Sequence, residues 1–267
     1  MRGIGAVRRT RWAAWCAGVA LVCLPILALA SVATLEDQGV MKLHALRPGV
    51  TLPVAMGRTL RAGKVKPGTV FLVKTTQRVF VSDEGYLSRG AKLRGEVVTS
   101  DAGDGTAAHP ATLTIRFTQL SYRGMTVPLK TNAVAMANLM DVDGTFLPMM
   151  AADRGNSSEA SWTTRQVGGD LVVRSGWVGP VVGVGLRTVG HADYYGVYSL
   201  PPTQEQGDGV MFPRSMGVFS TTAKGLYGYD EGTQMVSSGG LITITNPMGR
   251  AVIRAGDHLL LEVVDGR

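Results

Sequence analysis

Apolar and polar side chains alternate with a period of two along most of this chain, and apolar runs at helical spacing are few. In residues 111–120, Leu113, Ile115 and Phe117 alternate with Thr112, Thr114 and Arg116, the pattern of a strand with one wet face. The same reading predicts strands over 51–56, 69–75, 77–81, 92–99 and 125–129. Pro67-Gly68, Asp83-Glu84-Gly85 and Arg123-Gly124 supply turns, because glycine takes the positive φ that other residues resist. Residues 100–110, with Asp101, Gly103, Asp104 and Gly105, read as an exposed hairpin connection. The pattern breaks over 135–170. There 133–140 fits either a short helix or a continued strand, 141–144 a turn, and 151–169 a small-residue loop or hinge. Strands resume over 171–174, 177–189, 217–220, 226–229, 241–245, 251–253 and 258–264. The last is apolar enough to lie centrally in a sheet. The fold class is therefore all-β: a sandwich or barrel-like unit at 49–134, a loop or hinge at 135–170, and a second, glycine-rich β unit at 171–267. Whether the two units share one core stays open at this level.

The first thirty residues follow a different rule. Arg2, Arg8, Arg9 and Arg11 precede an uncharged, mostly apolar run from Trp12 to Ala30, which ends Ala28-Leu29-Ala30. A basic segment, an apolar segment and a small-x-small site are the anatomy of an export signal. Residues 1–30 are thus predicted as a signal helix and 31–48 as a lead-in, with the protein exported to the periplasm or cell envelope. Left uncleaved, residues 12–30 are long enough to anchor it in the inner membrane. Arg8-Arg9 fits a twin-arginine signal only loosely, and Cys23 lacks the small residue expected just before an acylated cysteine. Both cysteines, Cys16 and Cys23, lie in this leader, so a processed chain would have no disulfide, thiolate ligand or cysteine nucleophile. Charge moderates as well: the full chain carries +7, and removing the four leader arginines leaves 23 basic against 20 acidic side chains. Those basic residues are scattered rather than clustered with aromatics, which argues against a nucleic-acid partner.

Candidate chemistry is sparse. The histidines are His44, His109, His191 and His258, without a His-Glu-x-x-His pair. His191-Ala192-Asp193 offers two ligand types on one strand face, short of the three or four that a metal site needs. Asp257-His258 reads as a surface turn. No Gly-x-Ser-x-Gly elbow is present. Asp141 with Asp143, and Asp230 with Glu231, are the carboxylate pairs a glycosidase would draw on, though such pairs in glycine-containing turns are usually solvated. Asp141-Val142-Asp143-Gly144 also looks like half a calcium loop, but Asp153 falls one place late for its closing ligand. The run 179–190 lacks dinucleotide-fingerprint spacing, and its alternating glycines suit a strand approached closely by another backbone or a large ring. Asn156-Ser157-Ser158 matches a glycosylation sequon.

The aromatics form the one patch that suggests binding. Trp177, Tyr194, Tyr195, Tyr198, Tyr227 and Tyr229 crowd the C-terminal half, and such side chains serve interfaces, sugar faces and β-cores alike.

Two resemblances add to this. Residues 79–97, with the turn at Asp83-Glu84-Gly85 and the strand opening Leu93-Arg94-Gly95-Glu96-Val97, continue into Leu113–Phe117 and Tyr122-Arg123-Gly124-Met125. Over about 85 residues (50–134) this order resembles the β-barrel domain of TrbI-like scaffolds of type IV secretion and conjugation channels. That resemblance implies a ring-forming subunit at the outer membrane. The segment from Val218 to Tyr229 is similar to one in exported β-rich proteins of acidobacteria, which implies no activity. The expectation is an exported, non-enzymatic envelope protein with no catalytic residue, metal or cofactor, meeting envelope proteins or polysaccharide. A polysaccharide hydrolase or carbohydrate-binding protein, and a secretion-channel subunit, are the alternatives.

Overall fold

A computed structural model describes residues 45–82, 85–149, 161–201 and 212–265. The leader with Cys16 and Cys23, most of the lead-in, His44, Asp83-Glu84, Asp153 and the sequon at Asn156 lie outside the described residues. Of the described residues 52% are strand and 5% helix, so the all-β expectation holds.

Along the chain, the first strands are β1 (Thr51–Met56), β2 (Leu60–Arg61), β3 (Val70–Thr75), β4 (Val79–Phe80), β5 (Tyr86–Leu87), β6 (Lys92–Asp101), β7 (Ala111–Tyr122), β8 (Met125–Pro128) and β9 (Thr131–Ala137). Helix α1 (Leu139–Gly144) follows. Then come β10 (Ser161–Arg165), β11 (Leu171–Ser175), β12 (Gly179–Val182), β13 (Thr188–Asp193) and β14 (Gly196–Ser199). The chain closes with β15 (Gly225–Tyr227), β16 (Gln234–Ser238), β17 (Leu241–Asn246), β18 (Val252–Ile253) and β19 (His258–Val263).

The main sheet runs β15-β9-β19-β1-β3-β6-β7-β17-β16 and curls into a nearly closed barrel, with β8 paired outside this path to β7. Side chains bridge the seam: Ser237 Oγ accepts from Ala133 N at 2.7 Å, and Asn132 Oδ1 accepts from Gly240 N at 3.0 Å. Strands on both sides of the expected 135–170 boundary build this barrel, since β19 lies between β1 and β9 and β17 pairs with β7. The open question of a shared core is answered. Leu52, Phe71, Leu93 and Ile115 pack in one cluster with Ile242, Leu259 and Leu261.

The described residues between Asn138 and Lys224 are an excursion from the barrel. The chain leaves β9, whose successor Asn138 caps α1 by accepting from Asp141 N at 2.9 Å, and returns as β15, parallel to β9. The span expected as strand or helix at 133–140 is therefore both in succession, and 141–144 is helical rather than a turn. Within the excursion β10 to β14 form an antiparallel five-stranded meander. The single strand expected over 177–189 is instead β12, a 3-10 turn at Val184–Leu186, and the start of β13. Its glycines do serve close backbone approach: a Cβ on Gly179 or Gly190 would fall on the carbonyl oxygen of Val173 or Tyr198. Residues 217–220 are not a strand but hold an isolated parallel bridge, Val167 to Phe219.

The meander covers the outer wall of the barrel. A bulge between Leu260 and Leu261 skips Val134, so Ala133 and Met136 face the barrel interior while Ala135 and Ala137 face outward. Ala135, Ala137 and Leu260 join Val172, Val181, Ala192 and Val197 in a second core. Burial on both faces explains why Leu259, Leu260 and Leu261 run apolar without alternation in β19.

Candidate functional site

Strand register shows where the second core ends and a cleft begins. Trp162 pairs with Arg174, Val172 with Val181, Gly179 with Ala192, and Ala192 with Val197. Because side chains two apart share a face, Trp162 and Arg174 lie on the same face as buried Thr164 and Val172. The inner face of the meander thus changes from valine to an arginine and a tryptophan along its own strands. Facing this end stand Ala55 of β1, the segment Thr76-Gln77-Arg78, Gly256, His258, and α1 with Val142 and Asp143. Between the two lies a cleft of about 960 Å³.

Gln77 fastens the two walls. It is buried, its Nε2 donates to Val197 O at 3.0 Å, and its Oε1 accepts from Val197 N at 2.9 Å and Gly217 N at 3.0 Å. The carboxamide thereby pairs with Val197 as a neighbouring strand residue would. Arg78 N donates to Tyr195 O at 3.1 Å, and Tyr198 Oη donates to Arg78 O at 3.3 Å.

The rim is aromatic. The β11–β12 turn carries Trp177 and the β13–β14 turn carries Tyr194 and Tyr195, which places them at the same end of the meander. Trp177 meets Tyr194 edge to face, with centroids 5.9 Å apart at 83°, and Tyr194 meets Tyr195 at 5.5 Å and 89°. These three rings are 56%, 73% and 48% exposed in that order. Asp193 Oδ1 fixes the turn that carries the tyrosines, accepting from Tyr195 N at 2.7 Å and Gly196 N at 3.0 Å.

Cations sit on this aromatic frame. The Arg78 guanidinium lies 3.3 Å from the Tyr195 centroid and 4.1 Å from that of Tyr86. Arg174 lies 5.1 Å from the Trp162 ring and donates to Thr164 Oγ1 at 3.1 Å. Burial pulls the Arg174 pKa down. His258 is pushed down to about 4 by burial, against the opposing pull of Asp143, so its imidazole is neutral near pH 7.

Of the six expected aromatics, Trp177, Tyr194 and Tyr195 meet in the cleft. Tyr198 is fully buried, its ring 5.1 Å from that of Phe80, and burial together with Asp193 pushes its phenol up. Tyr227 accepts from Lys224 N at 3.1 Å beside β9. Tyr229 donates to Asp257 Oδ2 at 2.9 Å, and burial pushes this phenol up too. The latter three hold the fold.

No family model, curated protein or solved structure matches this chain. The chemistry of the cleft therefore stands on its own geometry.

The other candidates are placed as follows. His191 is exposed beside the Tyr198 ring, and the Asp193 carboxylate serves its turn. Among the described residues no group of His, Cys, Asp or Glu is arranged to hold a metal ion. The half calcium loop at Asp141 and Asp143 is instead part of α1, because Asn138 caps that segment as a helix. Asp143 lines the cleft, whereas Asp230 is paired with Arg254 at 3.6 Å and Glu231 is exposed. Asp257-His258 is not a surface turn. Asp257 is fully buried and accepts from Arg254 N at 2.7 Å and from Tyr229, while His258 lines the cleft. Burial pushes the Asp257 carboxyl up despite those hydrogen bonds.

Sequence reasoning missed Arg78, Trp162 and Arg174. The signal for Arg174 was present: it follows Val172 at a spacing of two, a charge on the apolar face of a strand. Trp162 opens Trp162-Thr163-Thr164, a β-prone run read as loop because small residues precede it.

Proposed function

We propose that this protein is an exported binding module of the cell envelope whose cleft holds a saccharide chain without cutting it. The carrying observation is the row Trp177–Tyr194–Tyr195, rigidified edge to face and left exposed on the rim of a cleft of about 960 Å³. Exposed aromatic rings beside fixed polar groups suit sugars, whose C–H faces stack on rings and whose hydroxyls take hydrogen bonds. Export is supported by the basic, apolar and small-x-small order of residues 1–30. A binding rather than hydrolytic role is supported by the carboxylates: of the two that line the cleft, Asp143 and Asp193, the second has an oxygen committed to the backbone of its own turn, and Asp141, Asp230 and Glu231 lie outside the lining.

Native electrophoresis of the full chain through gels containing soluble polysaccharides tests this. Retardation by at least one polymer, weakened about tenfold or more in Trp177→Ala and Tyr194→Ala at unchanged melting temperature, is the expected result. Unretarded migration in neutral and acidic polymers alike would refute it, and release of new reducing ends would refute the non-hydrolytic part.

A further inference from the structure

Resting on the saccharide reading of the cleft, we infer that the bound sugar is acidic and that Arg78 and Arg174 read its anionic oxygens. Arg78 is held against two tyrosine rings, and among the described residues none of its guanidinium N–H groups makes a hydrogen bond or ion pair. Ring support of this kind pre-orders a planar cation and leaves its edge as a rigid fork of donors. Arg174 is set among Trp162, Thr164 and the meander face, with one N–H spent on a neutral hydroxyl and no carboxylate within salt-bridge distance among the described residues. A partly buried cation without a counter-charge is held at a cost that an incoming anion removes.

The remaining charges of the cleft do not cancel this. Against its two carboxylates, Asp143 and Asp193, the lining sets three guanidinium side chains, Arg78, Arg89 and Arg174, so the balance stays positive. Carboxylate, sulfate and phosphate all present paired oxygens that match a guanidinium fork, and any of them is the shared chemistry expected here. The aromatic rim then stacks the ring that carries the group.

The test compares polygalacturonate with its fully methyl-esterified form, and dextran sulfate with dextran, as ligands of the full chain in calorimetric or gel-retardation titrations. An anionic polymer is expected to bind about tenfold or more tightly than its neutral counterpart, the scale of one charge-assisted hydrogen bond. Whichever anionic polymer binds names the source of the charge. Arg78→Gln and Arg174→Gln should each erase most of that preference, Arg174→Lys should restore part of it, and the melting temperature reports whether each variant is folded. Arg116→Gln, which breaks an ion pair with Glu96 on the barrel exterior, should leave the preference unchanged. Equal binding of charged and neutral polymers, still weakened by Trp177→Ala, would overturn the acidic assignment while leaving the saccharide reading intact. A preference that survives both arginine variants overturns it too. Failure of all four polymers removes the saccharide reading itself.

Discussion

Replacing Gln77 by alanine should loosen the meander from the barrel without disturbing the barrel core. The side chain makes three hydrogen bonds, to Val197 N, Val197 O and Gly217 N, all between buried or half-buried groups. Truncation leaves three backbone groups to find other partners. Each would cost about 1–3 kcal/mol if left dry. The cleft lies beside Gln77, however, so water can reach some of these groups and the total should fall near 3 kcal/mol. For a domain of this size that corresponds to a fall of roughly 6–12 °C in melting temperature. The loss should be local first: amide exchange at Val197 and Gly217 should accelerate by far more than at Leu93 or Ile115 in the barrel. Because Tyr195 O accepts from Arg78 N two residues before Val197, cleft binding should weaken in the same variant. Gln77→Glu keeps the acceptor but sets a carboxylate against Val197 O, so it should also destabilise. A change below about 0.5 kcal/mol with Val197 still protected would refute the clip.

Three further outcomes are expected. Gly95→Ala should cost about 1–3 kcal/mol, read by urea unfolding, because a Cβ there would lie 2.6 Å from Phe71 Cε2, and that ring is held edge-on against Phe117; Phe71→Leu in the same chain should recover part of the loss. Arg123→Asn should stabilise by about 0.5–1 kcal/mol, since Arg123 at φ 47° and Gly124 at φ 80° form the two-residue turn that favours Asn-Gly, and an unchanged midpoint would refute it. His258 has its pKa lowered from 6.5 to about 4, so the unfolded chain takes the proton first and stability should fall as pH drops from 6.5 toward 4, by at most about 3 kcal/mol. Asp257, with its pKa raised, works in the opposite direction, so the difference between wild type and His258→Gln across that range isolates the histidine.

The barrel was legible wherever one face of a strand is wet. β3, β6, β7 and β17 were read with nearly their observed bounds, because their inward residues alternate with more exposed ones, and β1 was read with its observed bounds although five of its six residues are buried. β16 was missed because Gln234, Ser237 and Ser238 surround a single valine and methionine, although the Gly239-Gly240 hairpin signal follows directly. Partnership was the larger omission. Nothing local in His258–Val263 says that it pairs with residues 51–55 and 131–137, so one barrel read as two units. The cleft was half legible: its rim aromatics stood out, but Arg78 and Arg174 became site residues only through the excursion that brings β14 to Gln77.

The excursion gains both a core and a cleft from one sheet, and the division falls within single strands. Val172 and Arg174 share a face of β11, one against Ala135 and Leu260 of the barrel wall, the other facing open space. At position 174 a charged side chain faces the cleft in place of a further apolar core residue, so this end of the face is a cleft wall opposite Ala55. Gly179 and Ala192, in line with Arg174 across the sheet, add little bulk to that wall. Gln77 then sets the spacing, since a carboxamide bridging Val197 and Gly217 holds the walls at hydrogen-bonding distance where apolar contact gives out. Polar residues at inward positions cost stability unless they are satisfied. Among the described residues the side-chain atoms buried without a partner are Thr131 Oγ1, Arg214 Nε and Asp257 Oδ1, whereas Arg78 and Arg174 keep their spare donors at the open cleft, where an anionic ligand of the kind proposed would meet them.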